Sequence, residues 1–311
     1  MGAEGAEHMR IFDCHSHWAT AGRSVMRTNE DWHHAQRIWK MERRTYGEEE
    51  QAEYFRKHDA RTILDLSYTK ALPIEEMRQH HDYALAYQRR FPDVVFGHWL
   101  QFEPWRGAES LEEFQRCIEA GAGFVGFCVN GQVTGVPPSD PLWDSFYERS
   151  IDLGIPVMIL CGLTGIGQGH RGGKGIILDH GHPRHIDAVA ARFPELNVLA
   201  ARPAYPWQDE MIAVLLHKGN VHYELHGWGP QHFTPALKKE IRGRLQDRIM
   251  FGCDFPGLLF ERVIPAWQAE GYPQEVLEKV LYRNAEAYFG TAPPTARVAE
   301  VVTPSEQLRA E

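Results

Sequence analysis

His15 and His17 stand two residues apart in the run Asp13-Cys14-His15-Ser16-His17, directly after the apolar pair Ile11-Phe12. In an extended strand successive side chains alternate, so the two imidazoles share one side of the strand at its C-terminal end. Neutral imidazole is the commonest nitrogen ligand of divalent ions, and two rings held this way can grip one metal. The plain alternative is a chance pairing in a chain with 17 histidines. A second apolar run, Ile249-Met250-Phe251-Gly252-Cys253-Asp254-Phe255-Pro256, ends in a carboxylate just before a proline turn. His15, His17 and Asp254 are therefore the candidate metal ligands, with Asp254 also a candidate proton acceptor.

Other chemistry-bearing residues follow apolar runs. Arg202 comes after Asn197-Val198-Leu199-Ala200-Ala201, and Glu224 and His226 come at the end of Val221-His222-Tyr223-Glu224-Leu225. A glycine-rich stretch, 162–175, carries His170, Arg171 and Lys174. Glycines let backbone N–H groups approach an anion and the cations add charge, so this loop is a candidate phosphate cradle. Its spacing matches neither GxGxxG nor the Walker pattern, and a lid without phosphate contacts is the plainer reading. Trp207 joins His170, Arg171, Lys174 and Glu224 as a substrate-binding candidate. His180, His182 and His185 follow the loop, where a solvated helix entry is the ordinary explanation. The segment 18–46, with Arg23, Arg27, Trp32, His33, His34 and Trp39, is too long for a simple connection and is expected to fold over something.

These residues need elements to position them. Near-continuous apolar strands at 11–17, 62–66, 94–100, 123–129, 155–160, 197–201, 221–225 and 248–252 alternate with helical patterns at 48–58, 74–91, 109–120, 141–153, 184–193, 207–217, 234–244 and a pair over 258–289. Such strands mean a parallel sheet covered on both faces. Eight strand–helix units predict an α/β fold, a (β/α)₈ TIM barrel, with a doubly wound open sheet as the alternative. The barrel, a single catalytic domain, is expected over 10–290, with 1–9 a disordered lead-in and 291–311 a loose tail. Barrel chemistry sits at the C-terminal strand ends. Those ends are His15 and His17, Ser67, Gln101, Cys128 and Asn130, Leu160 and Cys161, Arg202, Glu224 and His226, and Asp254. Closure of the first strand against the eighth brings His15, His17 and Asp254 together.

A net charge of −9 argues against nucleic acid or an anionic membrane as partner. No apolar run approaches the length of a membrane span. Five cysteines without CxxC spacing suit reduced thiols in a cytoplasmic protein. The expected partner is a small-molecule substrate, and a homo-oligomer is admitted.

At these residues the sequence resembles the amidohydrolase superfamily, in particular the branch that holds aminocarboxymuconate-semialdehyde decarboxylase and the non-oxidative aromatic-acid decarboxylases. The resemblance spans nearly all of 11–290 and rests on DCHSH at 13–17, on 182–221 and on RIMFGCDFP at 248–256. Arg283-Asn284-Ala285-Glu286-Ala287 also fits. It implies a mononuclear divalent metal, expected to be Zn²⁺. The ligands would be the His-x-His pair, a histidine ending the fifth strand, often one ending the sixth, and the aspartate ending the eighth. His15, His17 and Asp254 match. The fifth-strand position is Leu160 and the sixth is Arg202. Leucine cannot bind a metal, and arginine keeps its proton. Either His226, His182, His180 or Cys161 substitutes, or Arg202 holds the place of the metal's positive charge.

Within the branch the sequence is similar to hydrolases of aryl β-ketoacyl-CoA, which act in phenylpropanoid side-chain shortening. That likeness implies hydrolysis of a C–C bond beside a carbonyl of a coenzyme A thioester, with Asp254 or His226 as base. A non-oxidative decarboxylase of an aromatic or enoic acid, with Arg202 orienting the carboxylate, is the alternative enzyme. A catalytically dead barrel that binds a small ligand is the non-enzymatic one.

Overall fold

The structure, a computed structural model, describes residues 9–292 except 27 and 121–122. Of the expected lead-in 1–9 and tail 291–311, residues 1–8 and 293–311 lie outside the described residues, as does Arg27. Eight parallel strands follow in the order β1 (Ile11–His17), β2 (Ala60–Asp65), β3 (Val95–Leu100), β4 (Phe124–Val129), β5 (Val157–Leu160), β6 (Val198–Ala201), β7 (Val221–Glu224) and β8 (Ile249–Met250), each hydrogen-bonded to the next. The ring is drawn together at β1 and β8 by backbone bonds from Cys14 N to the Phe251 carbonyl (3.0 Å) and from Asp254 N to the His15 carbonyl (2.9 Å). The fold is a (β/α)₈ barrel, and the open-sheet alternative falls.

The helices are α1 (Asn29–Trp39), α2 (Glu48–Lys57), α3 (Ile74–Arg90), α4 (Ala108–Glu119), a short α5 (Gly131–Thr134), α6 (Asp144–Leu153), α7 (Pro183–Arg192), α8 (Gln208–His217), α9 (Pro235–Arg242) and α10 (Phe260–Ala269). A last helical stretch runs from α11 (Gln274–Glu278) through a π turn to α12 (Asn284–Phe289). The predicted bounds hold within a few residues. Two features depart from them. Helix α1 forms inside the polar segment 18–46, where Thr28 caps its N-terminus and Asp31 returns the bond. Strand β8 keeps only two ladder residues of the predicted five.

Alternation divides the strand side chains between two cores. Val157 and Ile159, and Val198 and Ala200, pack outward into the layer shared with the helices. Met158, Leu160, Leu199, Ala201 and Met250 fill the barrel interior with Phe12, Cys14, Ile63, Trp99 and Cys128. This sealed floor leaves the C-terminal strand ends as the place where polar groups gather.

Candidate active site

Simple alternation from Phe12 and Cys14, both interior, would turn His15 and His17 outward. A register shift between Asp13 and Ser16 in the β1–β2 pairing changes that parity. Such a bulge re-aims the side chains beyond it. Asp13 secures the bulge: its buried carboxylate accepts from Ser16 Oγ (2.5 Å), Thr62 Oγ1 (2.7 Å) and Cys253 N (2.7 Å), tying β1, β2 and the chain after β8 together. Beyond it, His15 Nε2 and His17 Nε2 face one another at 3.4 Å. His17 Nε2 lies 3.1 Å from Asp254 Oδ1.

Two site residues sit on left-handed backbone, Arg202 at φ 72° and Asp254 at φ 69°. This conformation is uncommon for residues with a side chain and concentrates at functional sites. Ala201 points into the barrel, so an extended continuation would send Arg202 outward. The left-handed turn instead carries its guanidinium onto His226, where Nε donates to Nε2 at 3.2 Å. His226 is fully buried and stacks flat on His15, centroids 3.8 Å apart and planes 7° from parallel. Its Nδ1 lies 2.5 Å from Glu224 Oε2. Glu224 is buried beneath the site, and Gly252 is needed beside it, since a Cβ there would come within 1.8 Å of Glu224 Oε1.

The charges follow from this packing. Burial, then the neighbouring His17, holds His15 well below the ordinary histidine range. Burial, then His15 and Arg202, does the same to His226. Burial also lowers His17, but the hydrogen bond and charge of Asp254 more than offset it and leave it raised. Asp254 is lowered: burial pushes it up, and His17, His15 and Arg202 together hold it ionised. Glu224 is pushed well up by burial and by the charges of Asp13 and Asp254.

These residues fit one divalent ion. Ligand atoms about 2.1 Å from a tetrahedral ion stand about 3.4 Å apart, close to the 3.4 Å between His15 Nε2 and His17 Nε2 and the 3.1 Å between His17 Nε2 and Asp254 Oδ1. Donor atoms of His15, His226 and Asp254 also lie within 4.8 Å of one another. His226 Nε2, however, already accepts from Arg202. Leu160 is packed in the barrel interior and supplies nothing. Cys161 is a buried thiol donating to the Ala201 carbonyl, pushed up to about 12 by burial. His182 caps α7, its Nδ1 accepting from Arg184 N, and its ring packs on Trp207 at 4.8 Å. His180 reaches the Gly131 carbonyl, and His185 bonds Ser139. Of the four residues named as substitute ligands, His226 alone joins the cluster.

The substrate-binding candidates are spread more widely. His170 pairs with His34 (Nε2 to Nδ1, 2.9 Å) and Trp39 Nε1 donates to Gln168 Oε1 at 3.4 Å. Gly165 lies flat on Trp39, where a Cβ would meet the ring at 2.6 Å. Segment 18–46 and the glycine-rich loop thus form one roof over the strand ends. Arg171 and Lys174 are exposed on it, without a carboxylate partner among the described residues. Trp207 is half-buried at the mouth, and Glu224 lies too deep to touch substrate.

Asp65 is a site residue that the sequence pattern does not reveal, because the pattern puts the end of β2 at Ser67. Asp65 is buried, faces His17 Nδ1 at 3.7 Å, and accepts from Gln101 Nε2 (2.8 and 3.0 Å) and Ser67 N (2.6 Å). A lone carboxylate in an apolar strand was the available signal.

The family's sequence profile, described as amidohydrolase, matches residues 12–291. The chain belongs to the amidohydrolase family. It is accordingly an amidohydrolase-type enzyme, a hydrolase or carboxy-lyase. No curated protein sequence matches it. Among solved structures it is similar to an uncharacterised TIM-barrel protein from Bordetella bronchiseptica (18% identity, TM-score 0.69, 90% of this chain and 98% of that one). It is also similar to 5-carboxyvanillate decarboxylase from Novosphingobium aromaticivorans, complexed with manganese and a nitrobenzoic acid (15%, 0.66, 92% and 97%). A third is a probable 2-pyrone-4,6-dicarboxylic acid hydrolase from Acinetobacter baumannii (13%, 0.58, 91% and 100%). At these identities the likeness speaks for the barrel. All five cysteines are free and buried, and no described helix is long and apolar enough to cross a membrane.

Proposed function

We propose that this amidohydrolase cleaves a carbon–carbon bond next to a carbonyl by hydrolysis, with Arg202 receiving the negative charge that develops on oxygen. One observation carries the reading. Arg202 is half-buried at the mouth, beside His15, His17 and Asp254, and no carboxylate among the described residues lies within ion-pair distance of it. An ion pair with Glu224 or Asp254 would have made it structural. A part-buried guanidinium with no carboxylate in direct contact is costly to keep there, and its terminal nitrogens gain when an anion arrives. A fixed guanidinium offers paired donors to a carboxylate or an oxyanion.

The substrate class favoured is an aryl β-ketoacyl thioester such as a coenzyme A ester, or a similar β-diketone. Water adds its oxygen to the β-carbonyl carbon and its proton passes to Asp254. The bond between that carbon and the α-carbon then breaks, and the released carbanion takes a proton, leaving an aromatic acid and a shortened acyl thioester. His15, His17 and Asp254 would hold one divalent ion, zinc or manganese, which supplies Lewis acidity. Tyr205 and Trp228, rings 5.2 Å apart, follow β6 and β7 at the mouth and suit an aromatic group. Arg171 and Lys174 on the roof suit the phosphates of a long thioester.

Non-oxidative decarboxylation is the second reading, favoured because the same unpaired Arg202 can orient a substrate carboxylate, and four of the barrel's structural relatives are named as decarboxylases. Turnover of an aryl β-ketoacyl-CoA and of hydroxybenzoates in ¹⁸O-water separates the two. Hydrolysis places one label in the aromatic acid, whereas decarboxylation releases CO₂ with no label in the aromatic product. Turnover of neither substrate class would contradict both.

A further inference from the structure

Arg202, Glu224 and His226 form a chain whose hydrogen positions follow from one fixed end. The guanidinium keeps its protons under all ordinary conditions, so Arg202 Nε is a donor. At 3.2 Å from it, His226 Nε2 must be an acceptor and carries no hydrogen. The ring proton therefore sits on Nδ1, which donates to Glu224 Oε2 at 2.5 Å. Glu224 is itself fully buried, its carboxyl lodged in the space that Gly252 leaves by lacking a Cβ. Stacking on His15 removes the ring's remaining freedom.

From this geometry we infer that Glu224 and His226 are positioning residues for Arg202, and that His226 is neither a metal ligand nor the general base. The inference rests on Arg202 being the anion site. One lone pair on His226 Nε2 cannot serve a metal and Arg202 together, and the arginine holds it. Glu224 selects the tautomer and His226 fixes the guanidinium through Nε. The two terminal nitrogens are left to face a planar carboxylate or an oxyanion. The ion site then has three protein ligands, His15, His17 and Asp254, an open arrangement of the catalytic kind. The arginine at the end of β6 comes with its own support, built from the end of β7.

The test titrates benzoate and, separately, Mn²⁺ into the full-length wild type and the Arg202→Ala, His226→Leu, His226→Gln and His17→Ala variants. It also records the His226 tautomer in the wild type by ¹⁵N NMR. Arg202→Ala should weaken benzoate about 10–100-fold. His226→Leu should weaken it roughly tenfold, as loss of an orienting partner does. His226→Gln, whose amide oxygen can accept near the Nε2 position, should recover most of that loss. Mn²⁺ affinity should stay near wild type in His226→Leu and collapse in His17→Ala. Loss of Mn²⁺ in His226→Leu, or a proton found on His226 Nε2, would overturn the inference. So would unchanged benzoate binding in His226→Leu beside a weakened Arg202→Ala. Benzoate binding that is absent, or indifferent to Arg202→Ala, would instead overturn the anion reading. The tautomer would still decide how His226 and Arg202 meet. Should the leucine variant not fold, the glutamine variant and the wild-type tautomer decide between these outcomes.

Discussion

Two buried clusters in this molecule have the residue types of a metal site, and they differ in one respect. At the mouth are His15, His17, His226, Asp254 and Arg202. Between α3 and α4 are His81, Glu113 and Cys117, whose donor atoms lie as close together as those above. In the second cluster every group is answered from within. His81 Nδ1 meets Glu113 at 2.6 Å, Arg116 binds both Glu113 oxygens at 2.7 and 2.8 Å, and Arg78 adds a third contact. Two guanidiniums already neutralise the one carboxylate, so a divalent ion would be repelled. At the mouth, buried His15 Nδ1, His17 Nδ1 and Glu224 Oε1 have no hydrogen-bond partner, and Arg202 makes no ion pair among the described residues. Complete internal satisfaction marks a structural network, and deficits mark a place prepared for something else.

The contrast breaks first at Arg202. Arg202→Lys keeps the charge but loses the planar fork and the Nε donor to His226. Turnover should fall about 10²–10³-fold, the usual loss for one oxyanion donor, with the melting temperature nearly unchanged. A lysine variant that keeps full turnover, or that unfolds, would remove the proposed role.

Glu113→Gln should do the reverse, sparing turnover and lowering stability by about 1.5–3 kcal/mol, since it removes charge-assisted hydrogen bonds. Its pH dependence has a definite sign. Burial pushes Glu113 up, but Arg116 and His81 hold it down to about 2, below the ordinary 4.5. The stabilisation is therefore complete above about pH 4.5 and lost as pH falls toward 2. Thermal unfolding should show the wild type and the glutamine variant converging across that window. A constant gap would assign the effect to packing.

A smaller effect sharpens the mouth itself. Asp65→Asn removes the charge that faces His17 Nδ1 at 3.7 Å without a hydrogen bond, and should lower divalent-ion affinity by less than the roughly tenfold that loss of a bonded outer partner costs. Calorimetric titration of Mn²⁺ checks it, and an unchanged affinity would make Asp65 a purely structural partner of Gln101. Smallest, Trp39→Ala should loosen the roof and raise KM more than it lowers kcat. Steady-state kinetics with a turned-over substrate would show the split.

Much of this was legible in the sequence because it rests on period and type. Eight apolar runs between helical patterns dictate the barrel. His15, His17 and Asp254 follow from where barrel strands end. Alternation alone accounts for the two histidines sharing a side, whereas their inward aim needs the bulge at Asp13. A bulge depends on backbone bonds from residues more than two hundred positions away and leaves no local signature. The left-handed turn at Arg202 is equally silent, as arginine has no preference for it. So is the pairing of Glu224 with His226 and Arg202, which exists only once β6 and β7 lie side by side. Helix α1 was hidden by the polar, aromatic composition of its segment, although Thr28 and Asp31 spelled out its start.

The most direct measurement is the divalent-metal content of purified protein, by elemental analysis, for the wild type and for His17→Ala, Asp254→Asn and Glu113→Gln. One ion per chain in the wild type and in Glu113→Gln, with loss in His17→Ala and Asp254→Asn, is the predicted result. A wild type without metal, or an ion lost with Glu113 and kept without His17, would contradict the assignment of the chemistry to the barrel mouth.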